Sequence, residues 1–259
     1  MPVAAFTQVA YLARRSVVRT VRQPIMIVPS LTFPLILLAV NASGLSAATS
    51  LPGFPTDTYV TFAIAFAFLQ GAMFATINGG QALAEDLQKG FFNRLQLTPL
   101  RGPALLAGQL AGVVALGIVQ AVVFLSVGLL AGGQFAAGVA GVAVLLALSV
   151  LIAMAFGALG LFLGLRTGSA EAVQGMFPLL FILLFFSSMA LPRDLIANDW
   201  FRAIADWNPV SYMLEGIRSL FIDGWNAEAL ALGFGLAAAL LVAGLAAAST
   251  LLRTRMVRT

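Results

Sequence analysis

Cysteine and histidine are both missing from this 259-residue chain, and Lys89 is its only lysine. Without thiols there can be no disulfide, thiolate metal site or cysteine nucleophile. Without imidazole the commonest metal ligand and general base is gone as well, so most enzyme classes are excluded. Charge is scarce too: Asp, Glu, Lys and Arg together make up 9% of the residues, against about 25% in an average soluble domain. What remains is apolar, with 61% hydrophobic residues and a mean hydropathy of +1.00. The bilayer must be the solvent. The net charge of +4 and pI of 10.3 do not point to nucleic acid. The 14 basic residues flank apolar segments and do not gather into one basic domain. The first 22 residues are polar and basic with no apolar core or small-residue cleavage site after it, so they do not read as a removable signal peptide.

Six apolar stretches are long enough to cross a hydrocarbon core of about 30 Å, which takes roughly 20 helical residues. They cover residues 24–43, 59–80, 103–131, 137–165, 172–191 and 228–251 of a single all-helical domain, 1–259. The third and fourth are joined by a short turn at Gly132, Gly133 and Gln134, which makes them an antiparallel hairpin. An even number of spans puts both termini on one side. Basic residues accumulate in short cytoplasmic segments. Eleven of them flank the spans on the terminal side: Arg14, Arg15, Arg19, Arg22, Lys89, Arg94, Arg101, Arg166, Arg253, Arg255 and Arg258. Only Arg193, Arg202 and Arg218 lie on the other, so the termini are expected in the cytoplasm.

Residues 1–23 carry Phe6, Val9, Ala10, Ala13 and Val17 on one helical face and Arg15, Arg19 and Arg22 on the other. This pattern predicts a helix lying in the membrane interface with its basic side toward anionic headgroups. Pro24, Pro29 and Pro34 then predict a first span that starts bent. Between the second and third spans, residues 85–99 predict a short amphipathic helix in which Leu87, Phe91, Arg94 and Leu95 share a face, ended by Pro99, Gly102 and Pro103. An apolar face with adjacent Phe91 and Phe92, rimmed by charge, can dock another protein or pack on its own bundle. Both uses are open on this pattern.

The segment 194–222 predicts two half-embedded helices on the external side, each too short to span. The first has Ile196, Trp200, Ala203, Ile204 and Trp207 on one face and Asp199, Arg202 and Asp206 on the other, with the tryptophans at headgroup level. Asn208 can cap the second, with Pro209 at its first position, Tyr212 following, and Glu215 and Arg218 three apart and able to pair.

With these motifs in place the chain resembles the type-2 ATP-binding-cassette (ABC) transporter permeases, especially the daunorubicin-resistance-like drug exporters of bacteria. The likeness rests on Glu85-Asp86 with Gly90, Arg94-Leu95 and Pro99, and on Asn208-Pro209-Val210-Ser211-Tyr212 followed by Glu215-Gly216-Ile217-Arg218. It implies a multi-pass protein of the bacterial inner membrane working as a dimer, with the same or a homologous second permease. It also implies two cytoplasmic ATPase subunits that dock on a coupling helix at 85–99 and hold ATP and Mg. The residues agree that any ATP chemistry lies elsewhere, since there is no Gly-x-x-x-x-Gly-Lys-Ser/Thr loop. An ion-driven secondary transporter would be expected to carry ionisable groups near mid-span. Here the most polar span residues are Gln70, Asn78, Gln109, Gln120 and Gln174, with Glu171 and Glu228 at ends. A membrane-embedded hydrolase would need a nucleophile with a base or a metal cluster, and neither is present.

The first, second and fifth spans line the path in that family. This makes Phe62, Phe66, Leu69 and Met73 on the second span, and Phe177, Phe181, Leu184 and Ser188 beside Pro178 on the fifth, the expected apolar lining for a drug, lipid or lipid-linked product. Gly108 with Gly112 and Gly160 with Gly164 are small pairs that permit close helix contact. The basic asymmetry generates a direct expectation. A single cysteine at Ser50 or Asn198 reacts with an impermeant thiol reagent outside intact cells, whereas one at Thr259 does not; the reverse labelling pattern would overturn the orientation.

Overall fold

The computed structural model describes residues 2–90 and 102–257, with side chains for 7–90 and 102–254. In chain order its helices are α1 (Pro2–Val21), α2 (Pro24–Gly44), α3 (Tyr59–Gln88), α4 (Gly102–Leu130), α5 (Gly138–Thr167), α6 (Ala170–Gly175), α7 (Phe177–Phe185), α8 (Asp199–Trp207), α9 (Pro209–Ile222) and α10 (Ala227–Val257). Short 3-10 turns occur at Ser46–Ser50 and Arg193–Leu195. No strand occurs among the described residues. Five helices, α2, α3, α4, α5 and α10, are long and apolar enough to cross a membrane.

Four of these five match the expected spans to within a few residues, apart from the C-terminal end of α10, which continues to Val257. The second runs two turns further than 59–80, to Gln88. The expected fifth span, 172–191, is corrected. It is two pieces broken at Met176, because Pro178 has no N–H to donate backward and Gly175 is a poor helix former. Ser169 caps α6 by accepting from the Ala172 N–H at 3.2 Å. Together α6 and α7 reach only to Phe185, roughly 24 Å of rise and short of a full hydrocarbon core. The first external piece is also shorter than 194–207, since the chain is extended at Ile196 and turns helical only at Asp199.

α2 is one continuous helix through Pro29 and Pro34. Pro34 cannot donate to the Ser30 carbonyl four residues earlier. Gln120 of α4 reaches over instead, its amide Nε2 3.4 Å from that oxygen. A freed carbonyl in a membrane helix is thus satisfied by a neighbour.

α3 is the central helix. In its most apolar window 89% of residues are buried by the rest of the chain, against 17% in α2. Its tightest neighbour is α5. A Cβ on Gly160 would collide with the Thr76 carbonyl of α3, and one on Gly164 with the Gly80 carbonyl, while the Thr76 hydroxyl donates to the Phe156 carbonyl at 2.9 Å. Gly108 and Gly112 likewise admit α1, whose Leu12, Ser16 and Thr20 occupy the space above them. Both small pairs therefore mark real backbone approaches.

The glycine contact sets a test. Gly160→Leu has no flexible neighbour to displace and is expected to cost about 3 kcal/mol or more by overpacking. Gly235→Ala, with nothing within 4 Å of the added carbon, is expected to be neutral. Thermal unfolding in detergent, followed by loss of the monodisperse elution peak, compares the two.

Candidate functional site

The terminal end of the bundle holds a cluster of charges built by three helices. Arg15 and Arg19 lie one turn apart on α1 and reach the last turn of α3. Arg15 grips Asp86 with both guanidinium nitrogens, at 3.0 and 2.8 Å. Arg19 donates to Asp86 at 3.1 Å, to Glu85 at 2.8 Å and to the Ala82 carbonyl at 3.2 Å. Gln109 of α4 supplies a further bond to Asp86 at 3.0 Å, and Lys89 one to Glu85 at 3.0 Å. Each Asp86 oxygen thus accepts two hydrogen bonds, which makes a carboxylate only 3% exposed tolerable. The α1 expectation is corrected here: Arg15 and Arg19 face an acidic helix end and not headgroups, because buried carboxylates demand cations more strongly than an exposed lipid surface does.

The segment 85–99 is also corrected at its start. Glu85 and Asp86 belong to α3 itself, and the helix closes at Lys89 with Gly90 in the left-handed region, φ +66°. A Cβ at Gly90 would be strained there, which explains a glycine at this place. Phe91, Phe92, Arg94, Leu95 and Pro99 lie outside the described residues.

At the opposite end, the second motif holds the exit of the broken span. Asn208 caps α9 by accepting from the Val210 N–H at 3.0 Å and donates from its amide to the Phe186 carbonyl at 3.0 Å and to that of Leu183. Pro209 occupies the first helical position, and the Tyr212 hydroxyl donates to the Asp206 carbonyl at 2.8 Å. The expected Glu215–Arg218 pair does not form as a contact. Glu215 accepts from Arg193 at 2.7 Å and from the Ser188 hydroxyl at 2.9 Å. Arg218, 5% exposed, donates to the carbonyls of Phe62 at 3.1 Å and Ser188 at 2.8 Å and lies 3.6 Å above the Phe62 ring. Burial pushes its guanidinium down to about 9 against the opposing pull of Glu215, so it is still a cation at neutral pH. Asn208, Ser211, Glu215 and Arg218 recur at helical spacing, and all four side chains bond within residues 183–189. Trp200 and Trp207 are 60% and 90% exposed on the outer side of α8.

The two aromatic stripes part company. Phe62, Phe66, Leu69 and Met73 are enclosed within the chain at 2% exposure or less and form its core. Leu184 and Ser188 are buried as well. Phe177 and Phe181 instead join an open row with residues that sequence reasoning passed over: Phe74 lies 4.8 Å from Phe177, Phe177 4.7 Å from Phe181, and Phe33 of α2 5.7 Å from Phe181. The row continues to Phe185 and borders the exposed face of α2 formed by Ile25, Val28, Phe33, Ile36 and Val40.

Residues 7–222 match the family model described as ABC-2 type transporter. The chain belongs to that family. It is also 32% identical, over 168 residues, to the daunorubicin resistance ABC transporter permease protein DrrB1 of Streptomyces coeruleorubidus, a match covering 64% of this chain and 58% of that protein. As a member of that family, with five helices long and apolar enough to cross a membrane, it is a multi-pass membrane protein. The match includes α1 from residue 7 onward, the Asp86 cluster and the whole 208–218 motif.

The geometry of the Asp86 cluster predicts its energetics. Asp86→Asn leaves two arginines facing a neutral amide and is expected to cost about 2–3 kcal/mol, below the full cost for a buried pair because Arg15 is half in water. Combined with Arg19→Gln, the double-mutant cycle is expected to show a coupling of about 1–2 kcal/mol, read from denaturant titrations in detergent.

Proposed function

We propose that this chain is the membrane subunit of an ATP-driven exporter, crossing the bacterial inner membrane with both termini in the cytoplasm. Two permease chains, identical or homologous, work with two cytoplasmic ATPase subunits, which bind ATP and Mg. A hydrophobic or amphipathic compound leaves the cytoplasm or inner leaflet by alternating access. The pair α6 and α7 makes the fifth pass, completed by the turn at residues 186–191, and brings the number of passes to six.

The observation that carries this reading is the position of Asp86 within a family whose members work with ATPases. The carboxylate is fixed to α1 and α4 four residues before Gly90, where the chain enters residues 91–101. A push delivered to that stretch by a docked ATPase reaches three helices through one ion cluster. The open aromatic row of Phe33, Phe74, Phe177 and Phe181 supports a path along α2 and α7, in place of the enclosed stripe of α3. Such a surface discriminates weakly among apolar solutes, as an exporter of drugs, lipids or lipid-linked products requires. Buried charges occur at the two ends, at Asp86 and Arg218, and α3 has none between Tyr59 and Ala84, which does not favour coupling to a proton or sodium gradient.

The test is reconstitution with the ATPase subunit. Phe91→Ala combined with Leu95→Ala is expected to weaken ATPase binding more than roughly tenfold while insertion is retained. Phe181→Ala is expected to leave assembly intact and change which solutes stimulate hydrolysis. Transport by the permease alone under an ion gradient would overturn the proposal.

A further inference from the structure

A second apolar recess lies away from the aromatic row. It is a groove of about 530 Å³ between α4, α5 and α10, walled by Leu106, Leu110 and Val114 of α4, Met154 of α5 and Leu245 of α10. Ser249 is its one hydroxyl-bearing residue, no aromatic ring enters it, and neither α2 nor α7 contributes to it. Along α4 the lining extends from Pro103 to Val114, a rise of roughly 16 Å. That is about half of a 30 Å hydrocarbon core, the depth of one leaflet.

The rim of the groove carries a charge. Leu245, Ser249 and Arg253 follow one another at four-residue spacing on α10, so the guanidinium stem leaves the same face one turn beyond Ser249, toward the end of the bundle that holds the termini. Arg253 is exposed, and no carboxylate among the described residues pairs with it. Arg15 and Arg19, at the same end of the bundle, are by contrast paired with Asp86 and Glu85. We propose that this groove holds one acyl chain of an anionic phospholipid from the leaflet beside the termini, with the lipid phosphate on Arg253. A leaflet-deep apolar slot explains the tail, and an unpaired cation at headgroup depth explains the head. A helix of a second copy fits less well, because it would leave Arg253 beside apolar surface with no counter-charge.

Native mass spectrometry of the detergent-purified chain, with dioleoyl phosphatidylglycerol or dioleoyl phosphatidylcholine added, tests this. The parent is expected to retain the phosphatidylglycerol in preference by roughly fivefold, the effect of one basic residue at an anionic headgroup. Arg253→Ala is expected to abolish the preference, Arg253→Lys to keep most of it, and Arg22→Ala, at the same end but off the groove, to leave it unchanged. Ala111→Phe, which fills the slot, is expected to lower retention of both lipids. Because Arg253 is exposed, its variants fold and decide the matter even where Ala111→Phe does not. Equal retention of the two lipids by the parent, full preference in Arg253→Ala, or an equal loss in Arg22→Ala would each overturn the proposal.

Discussion

In a bilayer, helices gain nothing from hiding apolar side chains from one another's lipid, so what holds a bundle together is close van der Waals approach and hydrogen bonding between helices. α3 exploits this to the limit. It is wrapped on nearly every side, and the approach of α5 to within backbone contact at Thr76 and Gly80 depends on hydrogen atoms standing where Gly160 and Gly164 would otherwise carry side chains. The rest of the architecture follows from that enclosure. A helix so enclosed offers a solute path little beyond Phe74, so any path must use mainly the helices around it, among them α2, whose apolar window is only 17% buried, and the short α7.

Enclosure also explains why buried charges meet α3 only near its two ends among the described residues. Asp86 closes one end with Arg15, Arg19 and Gln109. At the other, the Phe62 carbonyl and ring receive Arg218, and the Tyr59 hydroxyl donates to the Ala190 carbonyl at 2.9 Å. Between them Gln120 repairs the carbonyl freed by Pro34. In each of the three clusters the donor is placed where a backbone carbonyl or carboxylate would otherwise lack a partner. The chain thus ties the two ends of one central helix to separate neighbours: α1 at one end, the end of α7 and the α9 helix at the other.

Much of this was legible in the sequence. Long apolar runs have few alternatives once the bilayer is the solvent, so four span positions, the glycine pairs, the Asn208 cap and the Pro209 start all lay in local pattern. The basic face of α1 was legible as a face but not as to its partner. Periodicity says which residues share a side and nothing about what that side meets, and the acidic partners lie about seventy residues away. The same limit hid the enclosure of Phe62, Phe66, Leu69 and Met73, since an apolar stripe reads alike whether it faces lipid, a path or another helix. The pairing of Glu215 with Arg193, not Arg218, was missed because spacing on one helix ignores a cation arriving from a loop.

The break at Met176 brings these strands together. A continuous fifth span would run through the membrane as a strut, and its two ends would move together. As it is, α6 is tied near the terminal end, where the Gln81 amide donates to Gln174 at 3.2 Å, while the end of α7 is tied to Asn208, Glu215 and Arg218 of the α9 helix. The two ties lie on opposite sides of the break, and α7 between them carries Phe177 and Phe181 of the open row. Pro178 has no N–H to donate across the junction, so the segment held by α3 and the one held by α9 meet at a joint that lacks one backbone hydrogen bond, and the aromatic row lies beside that joint.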